Sequence, residues 1–310
     1  MMKRCLAFLF SLFACGCALA SAMPKELNIT YVKAPFNLQN MVMKTQGLLE
    51  KEFSSDGVKI NWVPIKVGLN QVHGLMAGNL DMVAAMNTST LLIANGAGNR
   101  ILIVDGVAHP NDIFAIVTSG KSRIESIKDL KGKRVVGPKG TVVHHLLVAA
   151  LVKEGMSVSD VELISMNLPA SLTALMTGHA DAALLVGPGV QKAISAGHRV
   201  LTRAGGLVDT NLVMAASERF AQQYPEVVRR VAKVNRETLQ WIRHNWDAAI
   251  AIGAKEHGIA DKDARELAQW ANFYSELTQR DIDAMNVNQE FLVQEKLMKQ
   301  SVDVPSLIFH

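Results

Sequence analysis

Small polar residues gather at four points of the sequence where a strand or loop is expected to lead into a helix. These junctions are Gly68-Leu69-Asn70, Asn87-Thr88-Ser89, Gly140-Thr141 and Pro169-Ala170-Ser171. A helix N-terminus presents unpaired backbone N–H groups and a partial positive charge, and both suit a bound anion. Each junction alone is also an ordinary helix cap. The prediction of a binding site therefore depends on two sets of junctions at matching places.

The histidines add one candidate to these junctions. His144 and His145 begin a predicted helix, and adjacent residues on a helix do not share a face, so they make a poor metal pair. His144 lies in the first turn, where it can donate to a bound anion or serve as a cap. His73, His109 and His179 have no ligand-like spacing and are expected to be surface or packing residues.

Motifs of catalysis are missing from the sequence. The stretch 132–139 resembles a phosphate-binding loop, but Pro138 removes an N–H and separates Gly137 from Lys139. Neither G-x-S-x-G nor H-E-x-x-H occurs. We therefore predict no catalytic residue, no metal site and no cofactor.

A repeated phrase indicates the elements that would position the junctions. Leu75-Met76-Ala77-Gly78-Asn79-Leu80-Asp81 and Leu175-Met176-Thr177-Gly178-His179-Ala180-Asp181 are each followed by an apolar run. Both read as the end of a helix, a Gly stop, a tight turn and a buried strand. Asp81 and Asp181 would begin those strands, at the end opposite the junctions, so we expect turn and cap roles for them. The repeat predicts two similar lobes with a cleft between them.

The surrounding pattern predicts an α/β fold. Strands and helices alternate as β-α-β-α-β, which favours mostly parallel sheets flanked by helices. After about residue 217 the pattern becomes mainly helical, and the first lobe is the expected support for those helices. We predict lobe one over 23–112, lobe two over 113–211, and the second, mainly helical part of lobe one over 212–310. Ligands of such sheets bind beyond the carboxyl ends of the strands.

Residues 1–22 have the pattern of a secretory signal peptide. Lys3 and Arg4 precede an apolar stretch, and Ala20-Ser21-Ala22 is a small-residue cleavage site. Cys15 and Cys17 leave open a lipid-anchored form. Cleavage would leave 288 residues with no cysteine and a net charge of +2, from 30 Lys and Arg against 28 Asp and Glu. This composition excludes disulfides and gives no electrostatic reason to expect nucleic-acid binding.

The order of these motifs resembles a known family. Gly140-Thr141-Val142-Val143-His144, then Leu168-Pro169-Ala170, then Asp181-Ala182 and Pro188, are similar to periplasmic solute-binding proteins of the aliphatic sulfonate, taurine and nitrate type. Phe291 to Leu297 and Val302-Asp303-Val304 are similar to the family's ending. Many members carry an aromatic-acid-proline sequence where this chain has Val186-Gly187-Pro188. The missing carboxylate lowers the expectation of a ligand with an amine, such as taurine.

The resemblance implies a two-lobed, type II periplasmic binding fold. It implies a small, anionic solute, delivered to an ABC permease and its ATPase by a monomer in the periplasm. Ligand contacts are implied at Asn37, Asn70, Asn87, Thr88, Ser89, Thr141, His144 and Pro169. Gly140, Gly187 and Asn211 are further candidates because they lie at the same junctions or at the predicted return to lobe one. Two alternatives stay open: an enzyme on the same fold, similar to thiamine-pyrimidine synthases, and a solute sensor that acts through a signalling partner.

Overall fold

Ten strands form two separate five-stranded sheets in the computed structural model, which describes residues 23–65, 68–139, 141–208 and 210–310. The strands are β1 (Glu26–Tyr31), β2 (Lys59–Pro64), β3 (Met82–Asn87), β4 (Ile101–Ala108), β5 (Phe114–Thr118), β6 (Arg134–Gly137), β7 (Glu162–Ser165), β8 (Ala182–Val186), β9 (Arg199–Arg203) and β10 (Leu212–Ser217). Sheet one has the order β2-β1-β3-β10-β4, and sheet two has the order β7-β6-β8-β5-β9. The predicted signal peptide lies outside the described residues.

Both sheets are mostly parallel, as predicted, because four of the five strands in each run in the same direction. β10 runs antiparallel to β3 and β4, and β5 runs antiparallel to β8 and β9, while the other pairings are parallel. Each antiparallel strand is the first one after the chain passes from one sheet to the other. We call residues 109–113 the first crossing and residues 204–211 the second crossing.

Twelve α-helices of the described residues flank the sheets. They are α1 (Leu38–Thr45), α2 (Leu48–Glu52), α3 (Gly68–Ala77), α4 (Thr88–Gly96), α5 (Val142–Lys153), α6 (Leu168–Met176), α7 (Pro188–Ser195), α8 (Glu218–Gln223), α9 (Pro225–His244), α10 (Trp246–His257), α11 (Asp261–Ala271) and α12 (Gln279–Gln294). The sequence from Met41 to Phe53 has the pattern of a single helix, but it forms two helices, because the chain turns at Gln46 and Gly47. Within the described ranges, none of the helices has the length and apolar character that a membrane span requires.

The C-terminal helices pack on more than the first sheet. Helix α9 packs on β4 and α1, and α12 packs on α4, which agrees with the prediction. Helix α11, however, also contacts α7 of the second sheet. Gln191 Nε2 on α7 donates to the Asp263 carbonyl at 3.0 Å and to Glu266 Oε2 at 2.7 Å. The expectation that these helices rest on the first lobe is therefore wrong for α11, which bridges the two sheets.

The repeated phrase has the same backbone in both sheets. Gly78 and Gly178 have φ values of 75° and 77°, a left-handed conformation that favours glycine at the end of a helix. The N–H of Asp81 donates to the Asn28 carbonyl, and the N–H of Asp181 donates to the Arg134 carbonyl. In return, each carboxylate accepts from the N–H of the same neighbour at 2.8 Å. The two aspartates thus extend the pairing of adjacent strands, in the structural role expected for them.

Removing these carboxylates should destabilise the chain unequally. Asp81 Oδ2 also accepts from Asn28 Nδ2 at 3.1 Å, while Asp181 has no second neutral donor among the described residues. We expect Asp81→Ala to lower the free energy of unfolding by about 2 kcal/mol and Asp181→Ala by about 1 kcal/mol. Urea unfolding measures both, with Asp283→Ala on the exposed face of α12 as the control. Losses no larger than the control's would contradict the structural role.

Candidate functional site

A polar cluster forms where β3 ends and α4 begins. The backbone carbonyl of Asn211 accepts from the Thr88 N–H at 2.9 Å, from Thr88 Oγ1 at 3.2 Å and from Asn87 Nδ2 at 3.4 Å. Asn87 Oδ1 accepts from the Ser89 N–H at 2.9 Å and so caps α4. Two predicted site residues of this junction, Asn87 and Thr88, are therefore tied directly to the second crossing through Asn211.

The two hydroxyls of this junction are buried. Thr88 and Ser89 are 0% and 2% exposed, and Ser89 Oγ accepts from Asn288 Nδ2 of α12 at 3.0 Å. Asn87 is only partly buried. Of the three, Asn87 therefore presents the accessible side chain, while Thr88 and Ser89 hold α4 against the crossing and α12.

Asn37 holds the loop that follows β1. It precedes α1, and its Nδ2 donates to the carbonyls of Val32 at 2.9 Å and Ala34 at 2.8 Å. Its Oδ1 is buried without a hydrogen-bond partner among the described residues. Since no described side chain caps α1, the first turn of this helix leaves N–H groups unpaired by side chains.

The second sheet contributes the junction before α5. Thr141 precedes the helix but its Oγ1 donates to the Pro138 carbonyl at 2.8 Å, so no described side chain caps α5. Gly140 lies outside the described residues. His144 is half-buried in the first turn, and burial, with the nearby charge of Lys139, lowers its pKa. The imidazole is therefore neutral at physiological pH, and it can donate one hydrogen bond without adding a positive charge.

Gly187 lies where the carboxyl ends of the two sheets approach each other. Its N–H donates to the Ile113 carbonyl at 2.9 Å, and its φ and ψ are 51° and −119°. A Cβ at this position would lie 3.3 Å from the Pro35 carbonyl oxygen, in the loop after β1. The ends of β8 and β1 therefore face each other across a narrow gap.

Asn70 and Pro169 lie apart from these contacts. Asn70 is the third residue of α3 and is exposed, so the expectation that it caps this helix is wrong. Pro169 is the second residue of α6, also exposed, and Asn167 caps that helix by accepting from the Ala170 N–H at 2.9 Å. Their roles as ligand contacts stay predictions.

A cavity of about 800 Å³ lies beside the polar cluster, between the two crossings and the start of α12. Its lining residues are His109, Asn111, Gly206, Leu207, Val208, Asn211, Asn272, Tyr274, Glu276, Thr278, Arg280, Asp281, Ala284, Val287, Asn288 and Phe291. We call it the crossing cavity. Asn211 and Asn288 belong both to this cavity and to the contacts of the α4 junction, so the two features are adjacent.

His109, Tyr274 and Asp281 form a fixed group in the wall of the crossing cavity. His109 Nε2 lies 2.6 Å from Asp281 Oδ1, and the His109 ring stacks on Tyr274 with centroids 3.8 Å apart. Burial alone would raise the pKa of Asp281, but hydrogen bonds from Thr278 and His109 outweigh burial and hold it below its ordinary value. Sequence reasoning treated His109 as a surface or packing residue and missed this group. The available signal was the capping pair Thr278 and Asp281.

One family describes most of this chain. The model of the family described as NMT1/THI5 like matches residues 51–249, which include nine of the ten described strands and both crossings. The chain belongs to the NMT1/THI5-like family. A relative in this comparison is the "Putative aliphatic sulfonates-binding protein" of Escherichia coli K12, 27% identical over 259 residues, which covers 83% of this chain and 79% of the relative.

Solved structures share the fold of this NMT1/THI5-like chain. The alkanesulfonate-binding protein SsuA from Xanthomonas axonopodis pv. citri, bound to MOPS, superposes with a TM-score of 0.81 at 24% identity, covering 93% of this chain and 99% of SsuA. The desulfurization enzyme DSZB superposes with a TM-score of 0.70 at 15% identity, covering 91% of this chain and 96% of DSZB. At these identities the likeness shows the two-lobed fold alone.

The expectation that this NMT1/THI5-like chain is a binding protein and not an enzyme agrees with the comparison by sequence, in which the E. coli relative is named for binding. Within the described residues, no three His, Cys, Asp or Glu side chains converge as a metal site would require.

Proposed function

We propose that the chain is the extracytoplasmic solute-binding subunit of an ABC transporter and captures a small anion between the carboxyl ends of its two sheets. The observation that carries this proposal is the pair of uncapped helices, α1 after β1 and α5 after β6. Helix N-termini without a side-chain cap keep backbone N–H groups for an anion. The neighbouring helices α4 and α6 are capped by Asn87 and Asn167.

The solute that we propose is a sulfonate. The E. coli relative and SsuA are both named for binding aliphatic or alkane sulfonates. Three sulfonate oxygens suit several N–H donors at once, and the N–H groups of α5 and a neutral His144 provide donors on one side. Asn87 and the first turn of α1 provide donors on the other.

The permease and its ATPase are the proposed partners, and the periplasm is the proposed compartment. Sheet one with its helices, over 23–112 and 212–310, and sheet two, over 113–211, are the proposed lobes. Closure of a monomer about the two crossings would present both lobes to the permease at once. Because the Asn211 carbonyl binds Thr88 and Asn87, movement of the second crossing is coupled directly to the α4 junction.

Thermal unfolding of the chain with a panel of anions tests the proposed function. The panel contains ethanesulfonate, taurine, benzenesulfonate, MOPS, nitrate and bicarbonate. We expect a sulfonate at a hundred times its Kd to add about 2.7 kcal/mol to the free energy of unfolding. Stabilisation by no member of the panel would overturn the anion proposal.

Replacing both Thr141 and His144 with Ala, in one variant, tests the role of α5 in this site. We expect this variant to bind the sulfonate at least about tenfold more weakly, because it loses the His144 donor and the Thr141 hydroxyl bond that holds the loop before α5, while the helix keeps its backbone. Thr173→Ala with His244→Ala, two exposed residues elsewhere, is the matched control. Unchanged affinity in the Thr141 and His144 variant would remove α5 from the site and leave the solute-binding function standing.

A further inference from the structure

The crossing cavity is a second space, partly open to solvent, beside the gap where the sheets face each other. Its lining comes from the first crossing, the second crossing and the segment 272–291, and none of it comes from the loops that follow β6 or β8. Gly187 and Pro35, which mark the approach of the two sheets, are also outside the lining. A volume of about 800 Å³ is in the range of small-molecule sites.

Two opposite charges in this lining have no side-chain partner among the described residues. Arg280 and Glu276 are exposed, and neither makes a hydrogen bond or ion pair through its side chain with any other described residue, including each other. Asp281 differs, because it already accepts from the Thr278 N–H, Thr278 Oγ1 and His109. The cavity therefore offers one cation and one carboxylate to an occupant, while its second acidic group, Asp281, already has hydrogen-bond partners.

The remaining wall is largely apolar. Leu207 and Val208 from the second crossing line it together with Ala284, Val287 and Phe291 of α12. Val287 is 68% exposed, the highest value among the exposed large apolar side chains. An occupant that covers this surface would remove it from water, which favours binding in proportion to the area covered.

We propose that the crossing cavity binds a zwitterionic solute with an apolar side chain, of the size of a medium amino acid. Its acid group pairs with Arg280, its ammonium group pairs with Glu276, and its side chain lies against Val287, Phe291 and Leu207. Arg suits this role because its guanidinium binds an acid group through two parallel N–H donors. The side-chain amides of Asn272 and Asn288 also line the cavity, and they help to orient the solute.

Calorimetric titration of the wild-type chain with L-leucine and L-phenylalanine tests this site. The matched probes are 4-methylpentanoate and 3-phenylpropanoate, which lack the ammonium group, and 3-methylbutylamine and 2-phenylethylamine, which lack the acid. We expect at least one amino acid to bind, and the matched acid and amine to bind at least roughly tenfold more weakly. No heat from either amino acid at millimolar concentration, or equal binding of a matched probe, would overturn the proposal.

Three variants locate the site. Arg280→Gln and Glu276→Gln are each expected to weaken amino-acid binding roughly tenfold, and Ala284→Trp is expected to abolish it by filling the cavity. Arg243→Gln, at an exposed arginine on α9, is the matched control and should leave affinity unchanged. Sulfonate stabilisation should persist in all of these variants, which separates this site from the proposed function. Amino-acid binding that survives all three substitutions would place the ligand elsewhere and overturn the assignment.

Discussion

Replacing Gly187 with Ala should lower the free energy of unfolding by about 3 kcal/mol and weaken solute binding. The residue has φ 51° and ψ −119°, a conformation that residues with a Cβ adopt only at a cost of roughly 1–3 kcal/mol. The Gly187 N–H also donates to the Ile113 carbonyl at 2.9 Å, so the peptide cannot rotate without losing that bond. In the Ala variant, rotating the peptide would relieve the strain but break this hydrogen bond, so the folded protein loses stability in either case.

The expected loss of solute affinity follows from the position of the new methyl group. A Cβ on Gly187 would lie 3.3 Å from the Pro35 carbonyl oxygen, and 3.8 Å from side-chain atoms of Ile113 and Leu267. These neighbours belong to the loop after β1, the first crossing and α11. Relief of the contact with Pro35 requires the ends of β1 and β8 to separate, which widens the gap that the proposed solute must bridge.

Gly189→Ala is the matched control, two residues away. Gly189 lies within α7, and a Cβ there would meet no heavy atom within 4 Å. Since Ala is a better helix former than Gly, we expect its stability to be unchanged or raised by up to about 1 kcal/mol. Urea unfolding and sulfonate titration of the two variants make the comparison. Equal stability of the two variants would show that the conformation of Gly187 carries no strain.

The fold could be predicted because its determinants are local in sequence. The Gly stop, the turn and the Asp at Gly78 to Asp81 recur at Gly178 to Asp181, and both copies form the same backbone. The apolar run from Ile101 to Val104 predicts strand β4 only as far as Val104, but the strand continues to Ala108. Asp105 and Gly106 are poor strand formers, and burial between neighbouring elements overrides that preference.

The junctions proposed to bind the solute could be located from the sequence, but which of them have a side-chain cap could not be predicted. Asn87 and Asn167 cap their helices, whereas Thr141 turns its hydroxyl back to the Pro138 carbonyl. Asn and Thr are both residue types that cap helix N-termini well. The difference between the three junctions therefore arises from the geometry of each preceding loop. The crossing cavity could not be located at all, because His109 and Asp281 are 172 residues apart and meet only through the fold.

Asp105 is the second position at which a large effect is expected. It is 1% exposed in β4, with Asn235 Nδ2 at 3.0 Å and Arg236 Nη2 at 3.3 Å. Burial raises the pKa of its carboxyl to about 6, and the donors on Asn235 and Arg236 only partly oppose this rise. Asn235 Oδ1 is itself buried without a partner among the described residues.

The stability of the wild type should therefore fall as pH rises from about 4 to about 6, relative to Asp105→Asn. The unfolded carboxyl has a pKa of 3.8, so the folded protein holds the proton more tightly across this window and loses that contribution on ionisation. The shift corresponds to about 3 kcal/mol, at 1.36 kcal/mol for each pKa unit. An amide stays neutral and keeps a donor, so the variant lacks this loss.

Urea unfolding of the wild type and Asp105→Asn at a series of pH values between 4 and 7 measures this difference. Asp283→Asn, which removes an exposed carboxylate from α12, is the control and should follow the wild type throughout. Because the two proteins differ only in one ionisable group, the change in their difference with pH reports the titration of Asp105 alone. A difference that stays constant from pH 4 to 7 would mean that Asp105 ionises as easily in the folded chain as in the unfolded one, and that Asn235 and Arg236 fully offset its burial.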